Sequence, residues 1–105
     1  MIKVTILYGH PKDIKAFETY YAETHLLLAH TMPGVSKMSL TKFIAAPDGS
    51  KAAYYRMAEL LFSSSEQMQQ TMASQEGKAT AADLANFATG GVTMLIGEVE
   101  NILLQ

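Results

Sequence analysis

The sequence predicts an α+β domain: a four-stranded antiparallel sheet with its helices on one face. Three observations carry this. Ile2, Val4, Ile6 and Tyr8 alternate with Lys3, Thr5 and Leu7, the period of a strand. Phe17 to Gly34 has helical periodicity, with Phe17, Tyr21, Thr24, Leu28 and Met32 within one narrow arc. Two further strand-like runs, Val35 to Ile44 and Tyr54 to Phe62, flank the turn-forming stretch Pro47-Asp48-Gly49-Ser50 and pair as an antiparallel hairpin.

Taken in order, Gly9-His10-Pro11 ends the first strand, and Asp13 is placed to cap the first helix. That helix ends near Thr31, because Pro33-Gly34 cannot continue it. After the hairpin, Ser63 with Glu66 three residues on forms a capping box, and a second helix runs from about Ser64 to Ser74 with Met68 and Met72 one turn apart. Glu76-Gly77 bends or breaks it, and a further helical piece spans Ala79 to Phe87. Thr89-Gly90-Gly91 ends that piece; Val92 to Ile96 is the fourth strand, continued by Glu98 to Leu103. The order is β-α-β-β-α-β, the split β-α-β arrangement of ferredoxin-like domains, with strands one and three central.

The 105 residues make a single domain. Charged residues are 17% of the chain, against about 25% in an average soluble domain, while apolar residues are 49%. Both faces of strands one and three are apolar enough to need cover, with Leu7, Tyr55, Met57 and Leu61 assigned to the face away from the helices. Helices cover one face only, so the other is expected against a second copy, in an isologous homodimer, with Lys3 and Glu59 pairing on it. The net charge of -2 and scattered basic residues speak against nucleic-acid or membrane partners. The absence of cysteine excludes disulfides, thiolate catalysis and cysteine-ligated zinc, and suits a cytoplasmic location. No apolar run is long enough to cross a bilayer.

His25 is the best candidate for chemistry. On an ideal helix it falls on the shoulder of the core-facing arc, one turn after Tyr21, where an imidazole reaches a cavity beside the core yet stays near water. Two roles fit: a general acid or base, or a partly buried ring hydrogen-bonded to Tyr21 or to a backbone carbonyl. Tyr21 either holds and polarises that ring or packs in the core. His10, in the loop after strand one, either joins a site or is solvated. Arg56 either orients a carbonyl or carboxylate or reaches water at the sheet rim. Asn86 and Phe87 line a pocket mouth, or act as a cap and a core plug. His25 and His30 are five apart, not the four of an H-E-x-x-H helix, so no metal is expected. Nucleotide, flavin and serine-hydrolase motifs are absent.

The blocks Leu7 to Asp13 (LYGHPKD), Ala16 to Ala29 (AFETYYAETHLLLA), Met32 to Val35 (MPGV), Tyr54 to Phe62 (YYRMAELLF) and Asp83 to Val92 (DLANFATGGV) together resemble the EthD family, in order and over nearly the whole chain. Phe17, Tyr21, His25 and Leu28 meet the family's helix pattern; Leu27 stands where many relatives have proline. The resemblance implies a dimeric α+β barrel with a small-molecule pocket between sheet and helices and with His25 and Tyr21 at its wall. The family is named for ethyl tert-butyl ether degradation. Its structural relatives include cofactor-free monooxygenases, muconolactone-type isomerases and polyketide cyclases. The expectation is a cofactor-free, proton-transferring enzyme on a small hydrophobic compound, with His25 and Tyr21 catalytic and His10, Arg56, Asn86 and Phe87 binding substrate. The alternative is a non-catalytic binding or accessory protein for a hydrophobic metabolite.

Overall fold

The computed structural model describes residues 1–104. Strands β1 (Ile2–Tyr8), β2 (Lys37–Lys42), β3 (Arg56–Phe62) and β4 (Val92–Glu98) form one antiparallel sheet in the order β2-β3-β1-β4. The two central strands are therefore β1 and β3, as the ferredoxin-like order requires. Their registers put Val4 opposite Leu60 and Ile6 opposite Ala58, so one apolar set faces the helices: Val4, Ile6, Tyr8, Ala58, Leu60 and Phe62 are all buried. On the other face Lys3 Nζ meets Glu59 Oε2 at 2.9 Å, beside the half-buried Leu7, Met57 and Leu61. Tyr55 departs from its expected face. It precedes β3, where the chain has left the strand's alternation, and its ring packs edge-on to Phe17 in the helix-side core.

The hairpin connection is longer than the sequence suggests, because β2 and β3 pair only over Lys37–Lys42 and Arg56–Phe62. Its turn closes as expected: Gly49, at φ 86°, donates to Ala46 O, and Asp48 Oδ1 accepts from the Ser50 amide.

The first helical stretch begins where expected, with Asp13 Oδ1 accepting from the Ala16 amide. It is not one α-helix. Helix α1 (Ile14–Tyr20) passes into a π-helical turn (Tyr21–His25) and then into α2 (Leu26–Ala29). The Leu26 amide donates to Tyr21 O, five residues back, which widens the turn. Each residue of that turn advances less than the α-helical angle, so Phe17, Tyr21, His25 and Ala29 form the buried stripe, while Thr24 is exposed and Leu28 half-buried. His25 is therefore in the middle of the buried stripe, not on its shoulder, and 4% exposed.

The second helical stretch breaks two residues earlier than Glu76-Gly77. Helices α3 (Ser65–Ala73) and α4 (Gln75–Asp83) meet at Ser74, whose extended backbone ends one and starts the other. Its hydroxyl donates to Thr71 O and accepts from the Gly77 amide at 3.0 Å. The cap of α3 is Ser64, not Ser63, and its Oγ accepts from the Gln67 amide. A single turn, Leu84–Asn86, follows α4. Regular pairing of β4 ends at Glu98, short of the expected continuation.

Gly77 sits where α4 crosses the end of α3. A Cβ there would lie 2.1 Å from the Thr71 carbonyl oxygen. Alanine ordinarily favours a helix by about 1 kcal/mol over glycine. Here the clash is with backbone and outweighs that gain. Gly77→Ala is expected to lose about 1–2 kcal/mol of stability net, read from the denaturant midpoint.

Candidate active site

Helix α4 and the π-helical turn meet at one buried pair. His25 Nδ1 lies 2.9 Å from Asp83 Oδ2, and the two residues are 4% and 7% exposed. Asp83 gives its other oxygen to two donors: the Tyr20 hydroxyl at 2.6 Å and the Asn86 side-chain amide at 2.9 Å. Burial raises the Asp83 pKa, but the hydrogen bonds from Tyr20, Asn86 and His25 together outweigh it and hold the carboxyl below its ordinary range. A carboxylate can only accept, so Nδ1 of His25 is the donor in this contact. No described residue hydrogen-bonds Nε2.

The ring lines a cavity of about 30 Å³ between helices and sheet. Around it stand Tyr8 and Tyr21 and four of the chain's seven methionines: Met32, Met38, Met72 and Met94. That space holds one or two waters, against about 300–1,000 Å³ for a typical ligand pocket. Methionine side chains are the ones most able to make way. The hydroxyls of Tyr8 and Tyr21 are buried without a hydrogen-bond partner. Burial pushes both phenols up, so they are neutral O–H donors near neutral pH.

The expected site residues separate into three groups. His25, Tyr21 and Phe87 come together: the Phe87 ring is 4.6 Å from His25, and Tyr21 stacks at 5.9 Å from it. Asn86 and Arg56 reach this group through another residue. Asn86 holds Asp83, while Arg56 makes a two-pronged ion pair with Glu18, both contacts 2.9 Å, and lays its guanidinium 5.1 Å from the Tyr21 ring centre. That pairing pulls the Glu18 carboxyl below its ordinary range. His10 stands apart, with Nε2 2.7 Å from Ala52 O and its ring against Tyr55. Among the described residues no three His, Asp or Glu side chains converge as a metal site.

Asp83, Tyr8 and Tyr20 are the residues that sequence reasoning passed over. One signal was available for Asp83: it precedes Phe87 by four and follows Thr80 by three, so an acidic group shares the core-facing side of its helix.

Fold and site define an α+β, ferredoxin-like protein with a histidine–aspartate pair at an apolar cavity. The chain belongs to the EthD family, whose domain matches residues 10–91. It is similar to an uncharacterised 11.0 kDa protein from the thcB-thcC intergenic region of Rhodococcus erythropolis, at 42% identity over 98% of this chain and 99% of that one. A solved EthD-family structure from Bacillus halodurans superimposes with a TM-score of 0.89 at 36% identity, covering 95% of this chain and 99% of that one. The hydroxynitrile lyase of Passiflora edulis shares the fold at a TM-score of 0.73 and 14% identity, covering 98% of this chain and 97% of that one.

A depressed carboxylate stabilises the fold above its unfolded pKa, about 3.9, and loses that contribution as pH falls through the lower folded value. Wild-type stability is therefore expected to drop below about pH 4. The drop should be shallower in Asp83→Asn, the remainder belonging to Glu18 and Asp48, whose carboxyls are also held below their ordinary range. Urea midpoints measured from neutral to acid pH check this.

Proposed function

We propose that this protein is a cofactor-free enzyme of catabolic or secondary metabolism in which His25 moves a proton on a small hydrophobic substrate. One observation carries the reading: the buried pair of His25 with Asp83, at 2.9 Å, beside a cavity that the imidazole lines. In this reading Nε2 takes a proton from a carbon next to a carbonyl, or from a phenol. Asp83 steadies the imidazolium that forms. Tyr21, a neutral donor beside the ring, orients the substrate oxygen on which charge develops. The resulting carbanion can be reprotonated elsewhere, close a ring onto a second carbonyl, or react with oxygen, giving the isomerase, cyclase and monooxygenase outcomes. Phe87 packs against the reacting groups. Arg56 acts through Tyr21 and Asn86 through Asp83, while His10, on the Ala52 carbonyl, stands apart from these groups.

A cytoplasmic homodimer without nucleic-acid or membrane partners belongs to the same proposal. No helix among the described residues is long and apolar enough to cross a membrane. The half-buried Leu7, Met57 and Leu61 around the Lys3–Glu59 pair support a second copy on that face.

A second reading rests on the narrowness of the cavity, about 30 Å³. A scaffold for a hydrophobic metabolite, with the histidine pair as structure, accounts for a small void lined by four methionines.

Solvent-deuterium exchange at the α-carbon of a panel of aryl ketones, followed by proton NMR, separates the readings. Wild type should exchange at least one ketone faster than buffer, and His25→Ala should lose about 100-fold or more of that rate. Equal rates in the two proteins would remove His25 from the mechanism; binding without exchange would favour the second reading. For the dimer, Leu61→Asp should yield monomers in sedimentation equilibrium while wild type sediments as a pair.

A further inference from the structure

We propose that Tyr20, which does not line the cavity, is a positioning residue for His25: its hydroxyl takes one oxygen of Asp83 and so sets how strongly the other oxygen holds the Nδ1 proton of the imidazole. This rests on reading His25 as the proton carrier.

The geometry is specific. Tyr20 is on α1, one residue before the π-helical turn. Its ring stacks on Phe87 with centres 5.3 Å apart and planes 21° apart, which leaves the phenol little freedom to swing. The hydroxyl meets Asp83 Oδ1 at 2.6 Å, the shortest of the carboxylate's three hydrogen bonds, and the Asn86 amide joins the same oxygen at 2.9 Å. Oδ2 is left to His25 alone, also at 2.9 Å. Tyr20 and Asn86 both line a solvent-facing groove of about 200 Å³, while His25 lines the inner cavity. Tyr20 thus reaches the pair from the groove and not from the cavity.

A carboxylate that gives one oxygen to two donors has less negative charge to offer at the other. The imidazolium formed when Nε2 takes a proton is then stabilised less than it would be beside an unshared carboxylate. The ring gives its proton back more readily, which a group that must both take and return a proton requires. The bond to Asp83 keeps the Tyr20 phenol protonated, so the donor persists near neutral pH. Other ionisable groups near the pair do not substitute for it. Tyr21 on the same turn and Tyr8 of β1 are neutral phenols, and Arg56 of β3 spends its charge on Glu18.

The test is a titration of the His25 ring by NMR, with selectively labelled histidine, in wild type, Tyr20→Phe, Asn86→Ala and Asp83→Asn. Tyr20→Phe keeps the stack on Phe87 and removes only the hydroxyl. Its His25 midpoint should rise by about 0.5–1 pH unit relative to wild type. Asn86→Ala, at an exposed position, should move it the same way by less, and it carries the test should Tyr20→Phe fail to fold. Asp83→Asn should lower it. A midpoint that stays put or falls in Tyr20→Phe and Asn86→Ala overturns the proposal, even if both variants are less stable, because a merely structural contact would alter stability without moving the titration. Ketone exchange across pH separates the two claims. Absence of exchange in wild type removes the catalytic reading, while the NMR midpoints still decide for or against Tyr20.

Discussion

The contact between His25 and Asp83 joins the two helical halves of the molecule. Both groups are almost wholly buried. A buried ionisable pair is weak evidence for stability, since desolvation offsets much of the attraction. Its effect is on uniqueness. Removing either partner leaves a buried polar group unmet, so α4 and the π-helical turn are tied to one mutual register. Asp83 in turn needs Tyr20 and Asn86 to complete its hydrogen bonds. The network therefore reaches from α1 through the π-helical turn and α4 to the single turn after α4.

The π-helical turn is what brings His25 to that contact. With ordinary α-helical spacing from Phe17 the imidazole would stand aside from the core. The wider turn keeps Tyr21 and His25 on the same line as Phe17 and Ala29. Turns of this kind are uncommon and recur at functional sites. Here the aromatic cluster of Tyr8, Phe17, Tyr21 and Phe87, with ring centres 5.2–5.8 Å apart, packs against the turn and compensates for its poorer hydrogen bonding. Rigid aromatic packing on one side of the imidazole and pliable methionines on the other make an asymmetric wall.

The sheet sets the stage for this without taking part in the hydrogen-bonded network. Its helix side supplies Tyr8 to the aromatic cluster and Ile6, Met38, Ala58 and Leu60 to the cavity floor. Where β1 leaves the sheet, Gly9 donates to Gly91 O, and its missing Cβ leaves room for the Gly90 carbonyl, only 2.1 Å from where that carbon would lie. That close approach lets the chain enter β4 beside the end of β1, where Tyr8 pairs with Val92.

What the sequence determined by itself was local or periodic. Alternation in Ile2 to Tyr8 and Ala58 to Phe62 specifies which side chains face the helices, because a strand slipped by one residue would bury Lys3 and Glu59. Asp13, Gly49 and the order of elements are legible for the same reason: each depends on a few neighbouring residues or on the connection rules. Helical periodicity set Tyr21 on the core-facing arc and left His25 at its shoulder. The tertiary structure alone decided the rest. The π-helical turn carries no composition signal, and it exists because the aromatic cluster and Asp83 reward it. The break at Ser74 instead of Gly77 follows from how closely α4 must cross α3. Tyr55 turns to the helix side because Phe17 waits there. Asp83, 58 residues from His25 along the chain, becomes its partner only when the second helical stretch folds onto the first. Pairings of that separation depend on packing between elements, which no local pattern encodes.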